Sequence, residues 1–327
     1  MNAAEQLGAV LAAGGPGLAA GLRLTEERLE AIASGHGQDL TTHAGGTLAA
    51  GGKRLRPLLV LLGGGRAEPG AGLVAAAAAV ELLHMATLVH DDVLDQASLR
   101  RGMPTVFAVA GRPAATATGD FLFSRAFAEL AATDSTSAVR ALSAASSALA
   151  RGELMQRADA WSDDVGVERY LDRCALKTGS LFAAACRLGA DLGDRGEPAA
   201  AALADFGHHL GLAFQILDDV LDVSGPVERT GKHRGTDLLD GTVTLPLILA
   251  RARDRAIGRV DLRSIADPGG AEALCEHIAA SGALDESRAQ ALEHVATAKR
   301  ELSGLDLEPW QRDALELVAD SVVERYA

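Results

Sequence analysis

AGLVAAAAAVELLHMATLVHDDVLD, residues 71–95, decides the fold. Alanine and leucine dominate it, both good helix formers. Its apolar residues show no sustained period-two alternation, so it reads as a helix and not a strand. The apolar part, Leu73 to Val89, is interrupted by Glu81 and His84. It is too short and too polar for a membrane span and reads as a core helix. The stretch then ends in three carboxylates, Asp91, Asp92 and Asp95. Residues 215–223, QILDDVLDV, repeat that ending with Asp218, Asp219 and Asp222. Charges are normally kept away from such apolar company.

The rest of the 327-residue chain agrees with a helical reading. Hydrophobic residues make up 48% and aromatics only 3%, so the core is aliphatic and alanine-rich. Breakers at Gly51-Gly52, Gly63 to Gly65, Pro69-Gly70, Pro113, Gly166, Gly225-Pro226, Pro268 to Gly270 and Pro309 divide it into helix-length pieces. Long helices are expected over roughly 71–95, 114–131, 135–160, 197–223 and 284–303. With no low-complexity linker, the expected fold is all-α, a single large helical bundle around a central cavity, one domain over residues 1–327.

A net charge of −13 argues against nucleic acid or an anionic membrane as a non-specific partner. Cys174, Cys186 and Cys275 lack the CxxC spacing of a zinc or redox site, and an odd, scattered set suits reduced thiols. The N-terminal MNAAEQLGAVLAAGG has no basic leader. The expectation is a cytoplasmic protein without stable membrane insertion.

On a helix, residues four apart are neighbours, with Cβ atoms about 5–6 Å apart. Asp91 and Asp95 then share a face, as do Asp218 and Asp222, and like charges so placed repel. A hard divalent cation answers that repulsion. Mg²⁺ binds one or two carboxylates, keeps several waters and takes substrate phosphates as further ligands. A basic motif accompanies the acidic ones. GGKRLRP, from Gly51, sets Lys53, Arg54 and Arg56 after a glycine turn at a helix entrance, a plausible diphosphate cradle. Arg100 and Arg101 follow in LRRGMPT, and Lys177 in LKTGSLF and Lys232 in GKHRGTD are isolated cations in glycine-containing contexts.

In order, the chain carries GGKRLRP, HDDVLD, RRGMPT, GELMQ, KTGSLF, FQILDDVLD, GKHRGTD and GTVTLP. Across about residues 45–250 this string resembles the trans-isoprenyl diphosphate synthases, the polyprenyl synthetases. The resemblance implies an all-α homodimer that condenses isopentenyl diphosphate with an allylic diphosphate. It implies metal ligation by Asp91, Asp92 and Asp95, and by Asp218 and Asp219 with Asp222 more peripheral, holding three Mg²⁺ ions. It implies contacts from Arg100, Lys177 and Lys232 to the allylic diphosphate. Lys53, Arg56, His84 and Arg101 match the isopentenyl diphosphate site, and Gln215 and Thr178 match residues near the reacting carbon. One departure stands out: GTVTLP places Thr242 where the family often has a lysine, and Arg234 or His233 could compensate.

Product length in the family depends on residues just before the first aspartate motif. Here they are Ala86 and Thr87, and the stripe Thr87, Leu83, Ala79, Ala75 contains no aromatic. A long product, heptaprenyl or longer, is expected. A floor from Phe121, Phe123 or Phe127, giving geranylgeranyl or farnesyl diphosphate, is the alternative. A class I terpene cyclase fits less well, because it pairs DDxxD with an Asn/Ser/Glu motif and does not need Lys53 and Arg56. A non-catalytic synthase subunit fits less well because such subunits usually lose aspartates.

Overall fold

Residues 3–52, 54–225, 234–265 and 267–324 are described by a computed structural model. In chain order the helices are α1 (Ala3–Ala13), α2 (Gly15–Ser34), α3 (Gln38–Ala49), α4 (Leu55–Gly64), α5 (Ala71–Leu94), α6 (Val106–Ala131), α7 (Thr136–Asp159) and α8 (Val167–Cys174). A π-helical turn, Ala175–Gly179, leads into α9 (Ser180–Leu192). Then come α10 (Glu197–Ser224), α11 (Thr236–Leu239), α12 (Leu245–Arg253), α13 (Pro268–Ala280), α14 (Ala283–Ser303) and α15 (Pro309–Glu324). Strands β1 (Leu99–Arg100) and β2 (Met103–Pro104) form a small antiparallel hairpin between α5 and α6. The all-α expectation holds, and all five long helices lie close to where periodicity put them.

The chain divides into two compact units. The first comprises residues 1–146, 181–207 and 301–318. At its centre lies α5, whose residues from Ala75 to Leu83 are almost wholly buried. By length and composition α5 could cross a membrane, but 78% of its most apolar window is buried inside the protein. The alanines let α6 pack closely along it, with Ala115, Thr118, Leu122 and Ala126 fully buried. A methyl group on Gly119 would sit 2.3 Å from the His90 ring.

α4 ends at Gly64, so the break expected at Gly63 to Gly65 is present, with Gly63 and Gly64 themselves forming the last helical residues. Gly65, in the left-handed region at φ 60°, caps it. Gly63 also serves a helix contact. A Cβ on Gly189 of α9 would lie 2.2 Å from the Val60 carbonyl of α4, and one on Gly63 would lie 2.7 Å from the Cys186 carbonyl. Backbone meets backbone, so neither side can yield cheaply. Gly189→Ala should therefore destabilise the protein by about 1–3 kcal/mol through overpacking, read as a lower urea midpoint. An unchanged midpoint would show that α4 and α9 are not so tightly joined.

Pro113 does mark a break. α6 kinks at Gly111 (φ 79°), leaving a short first segment capped by Thr105, whose hydroxyl accepts from the Ala108 N–H at 3.0 Å.

The second unit comprises residues 147–180, 208–300 and 319–327. Tyr170, Leu210, Ala213, Ile216, Leu245, Leu247, Ile278 and Ala291 form its core. Trp161 lies against Gly241, where a Cβ would come within 2.2 Å of the indole. All three cysteines are buried and free.

Candidate active site

Both aspartate trios sit at the C-terminal ends of their helices. α5 stops at Leu94, and Asp95 is its C-cap residue. Gln96 takes the left-handed conformation (φ 51°), and the Ala97 N–H reaches back to the Asp92 carbonyl at 3.0 Å. That is the Schellman closure. Asp218, Asp219 and Asp222 occupy the last two turns of α10. A helix C-terminus carries partial negative charge, so carboxylates there are placed at a cost and favour a bound cation.

The two trios share a gradient of exposure. In each the middle aspartate is buried, Asp92 and Asp219 both at 5% exposure. Asp95 and Asp218 are exposed, and Asp91 and Asp222 half-buried. The buried members are stabilised differently. In the first unit Arg100 grips Asp92 Oδ1 with Nε and Nη2, each at 2.8 Å. The hairpin makes this possible: Arg101 (φ 53°) and Gly102 (φ 76°) form its left-handed turn and send Arg100 back towards α5.

In the second unit Asp219 has uncharged donors. The Tyr170 hydroxyl donates to Oδ2 at 2.7 Å, and the Gln215 amide donates to Oδ1 at 2.8 Å. Gln215 in turn accepts from the Thr178 hydroxyl at 2.7 Å. Burial, then the nearby Asp237 charge, push the Asp219 carboxyl up to about 7, against the pull of Tyr170, Gln215 and Arg173. Asp222 accepts from the Asp237 N–H at 3.3 Å, tying the end of α10 to the start of α11.

Beside Asp92 lies a cavity of about 130 Å³, lined among others by Thr47, Arg54, His84, Asp92, Arg100 and Arg101. Arg56 stands near it with its guanidinium 4.6 Å above the Phe182 ring. Its Nε is buried without a partner, and burial lowers its pKa to about 10. Burial, followed by the charges of Arg56, Arg101, Arg100 and Arg54, holds the His84 pKa well below its usual value. Such a field suits an anion. Gly52 underlies it, since a Cβ there would lie 3.0 Å from the Arg101 guanidinium.

Arg54 has a different task from its neighbours in the basic motif. It pairs with Glu26 at 2.5 Å and with Glu81 at 2.7 Å, and so fastens α2 and α5 to the entrance of α4. This also explains Glu81 within the apolar stretch. In the second unit Lys177 lies on the π-helical turn, its ammonium 2.5 Å from Glu153 and 3.3 Å from Gln156. Gly152 lets α7 approach, as a Cβ there would lie 2.6 Å from the backbone nitrogen of Lys177. π-Turns recur at functional sites. Arg234, considered as a substitute for the missing lysine, donates to the Val223 carbonyl and lies 3.8 Å from Glu272. Lys53, Lys232 and His233 lie outside the described residues.

Residues 38–276 match the polyprenyl synthetase family. The chain belongs to that family. Among its relatives, heptaprenyl diphosphate synthase component 2 of Geobacillus stearothermophilus is 41% identical over 72% of this chain and 73% of its own. A short chain isoprenyl diphosphate synthase of Methanothermobacter thermautotrophicus is 38% identical over 85% and 88%. Among solved structures, a Caulobacter crescentus polyprenyl synthase complexed with calcium and isoprenyl diphosphate superposes with a TM-score of 0.88 at 35% identity, covering 98% of both chains. This polyprenyl synthetase is thus a prenyltransferase.

For a polyprenyl synthetase the residue types present suit a hard divalent ion: within each unit, taken by itself, carboxylate oxygens collect at a helix C-terminus around one buried aspartate. Among the described residues no three His, Cys, Asp or Glu side chains are grouped to hold a metal alone. Sequence reasoning missed Tyr170, Asp237, and the Glu153 and Gln156 of GELMQ. It quoted the motif of the last pair without seeing that they hold Lys177. It also left unassigned His209, whose Nδ1 lies 3.0 Å from that of His294.

Proposed function

We propose that the chain catalyses Mg²⁺-dependent head-to-tail condensation of isopentenyl diphosphate with an allylic diphosphate, giving an all-trans polyprenyl diphosphate. The observation that carries this is the positive field on the cavity beside Asp92, with the orphaned Arg56 Nε close by. In this reading Arg56, His84 and Arg101, with Lys53, bind isopentenyl diphosphate. Asp91, Asp92, Asp95, Asp218, Asp219 and Asp222 hold the metal ions. Bound Mg²⁺ would neutralise the charge that develops on the departing diphosphate. Arg100, Lys177 and Lys232 add positive charge at that leaving group, which lowers the barrier electrostatically. Lys177 is held ready by Glu153 and Gln156. Thr178 and Gln215 line the reacting allylic carbon, and surrounding apolar side chains keep water from the allylic cation. The aspartates act as ligands, not as proton donors or nucleophiles.

The product is proposed to be heptaprenyl or longer. Along α5, Leu83, Ala79 and Ala75 are buried and none is aromatic. On α6 Leu122 and Ala126 are among the fully buried residues, whereas Phe121, Phe123 and Phe127 are only half-buried. Phe121 packs edge-on against His36, at 4.9 Å between centroids. Product chromatography from one allylic primer and excess isopentenyl diphosphate tests the reading. Thr87→Phe should shift the product from heptaprenyl or longer to geranylgeranyl or shorter. A wild-type product of farnesyl length would overturn the long-chain reading. A cyclic hydrocarbon formed without isopentenyl diphosphate would overturn the reaction.

A second reading has support in the name of the Geobacillus relative, a component of a synthase: the chain would then need a partner subunit. We propose instead a cytoplasmic homodimer active alone. Turnover by the purified chain decides between them.

A further inference from the structure

We infer that Tyr170 is a positioning residue that orients the Asp219 carboxylate for metal binding, a role that rests on the synthase reading above. Tyr170 is fully buried on α8, and its hydroxyl is 2.7 Å from Asp219 Oδ2. The Cys174 thiol, one helical turn further on, interacts with the same hydroxyl. An ionised carboxylate only accepts, so the Tyr170 hydroxyl is the donor to Asp219. On the other side Gln215 cannot turn over. The Asp219 carboxylate only accepts, so the Gln215 NH₂ faces Oδ1 and its carbonyl takes the proton of the Thr178 hydroxyl. Both carboxylate oxygens therefore each accept one hydrogen bond from a residue that is itself held. That leaves the carboxylate one plane and one rotamer, with the remaining lone pairs available to an ion.

The contrast with Asp92 shows why such a device matters here. Asp92 is oriented by a guanidinium, which also cancels its charge. Asp219 is oriented by neutral donors, which fix its direction and leave its charge for the metal. Partners of this kind typically alter metal affinity or activity by about 10–100-fold when removed.

Tyr170→Phe deletes one oxygen and keeps the ring that fills the core. The Mg²⁺ concentration for half-maximal turnover should rise about 10–100-fold, with the KM for isopentenyl diphosphate unchanged. Independently of turnover, the thermal stabilisation given by Mg²⁺ plus inorganic pyrophosphate should need correspondingly more Mg²⁺. A merely structural role would lower the melting temperature of the metal-free protein and leave both Mg²⁺ midpoints in place. The double variant Tyr170→Phe/Asp219→Asn completes a cycle. If Tyr170 acts through Asp219, its effect on the Mg²⁺ midpoint vanishes once Asp219 is Asn. Equal midpoints for wild type and Tyr170→Phe, or independent effects in the cycle, would overturn the role of Tyr170 while leaving the synthase reading intact. A wild type indifferent to Mg²⁺ would overturn both.

Discussion

Asp91→Ala and Asp218→Ala each lower turnover by at least about 100- to 1000-fold, the cost of removing one preorganised charge-stabilising element from a transition state. Both keep the melting temperature of the metal-free protein within a few degrees. Their placement makes the experiment clean. Asp91 is half-buried and Asp218 exposed, so neither is enclosed in a core. Each stands at a helix C-terminus, where losing a negative charge relieves the macrodipole and does not harm the helix. The loss then has one source, weaker metal and diphosphate binding. Near-normal rates in either variant would remove that residue from the metal site. Asp92 and Asp219 are poorer choices for the same test, since alanine there would orphan Arg100 or Tyr170.

Arg54→Ala has the largest expected effect on stability, a loss of about 3–5 kcal/mol. It leaves Glu81, with its side chain 5% exposed, buried without its ion-pair partner, and breaking one half of a buried pair costs that much. The fall in the urea midpoint measures it. The double variant Arg54→Met/Glu81→Leu should recover most of the loss, because apolar residues of similar volume commonly replace a buried pair without penalty. It should also retain turnover, because Arg54 is committed to Glu26 and Glu81. A double variant as stable as wild type but inactive would instead place Arg54 among the substrate contacts.

The fold was legible where helical periodicity was strong. Residues 71–95 and 197–223 announced α5 and α10 almost to the residue, and Pro113 announced the kink region. Glycine at 63–65 marked the end of α4 but hid a second use, because composition does not distinguish a glycine that ends a helix from one that lets another helix approach. That distinction depends on Gly189, over a hundred residues away. At the site, the residue types at fixed spacing were readable: two DDxxD trios, the basic motif, Lys177 and Gln215. What each charge is paired with was not. Arg54 and Arg56 are two residues apart in one motif, yet one is locked to two glutamates and the other has an orphaned nitrogen over an aromatic ring. Nor could spacing show that the middle aspartate of each trio is the buried one, or that tyrosine holds one and arginine the other. Those facts depend on α8 and the hairpin, whose positions follow from packing and not from local sequence.

The most direct test is transfer of labelled isopentenyl diphosphate onto an allylic diphosphate by the purified chain, with Mg²⁺ and then with a chelator. Linear prenyl diphosphate that accumulates with Mg²⁺ and stops on chelation is the expected result. Equal product in chelator would contradict the claim that carboxylate-held metal carries the leaving diphosphate.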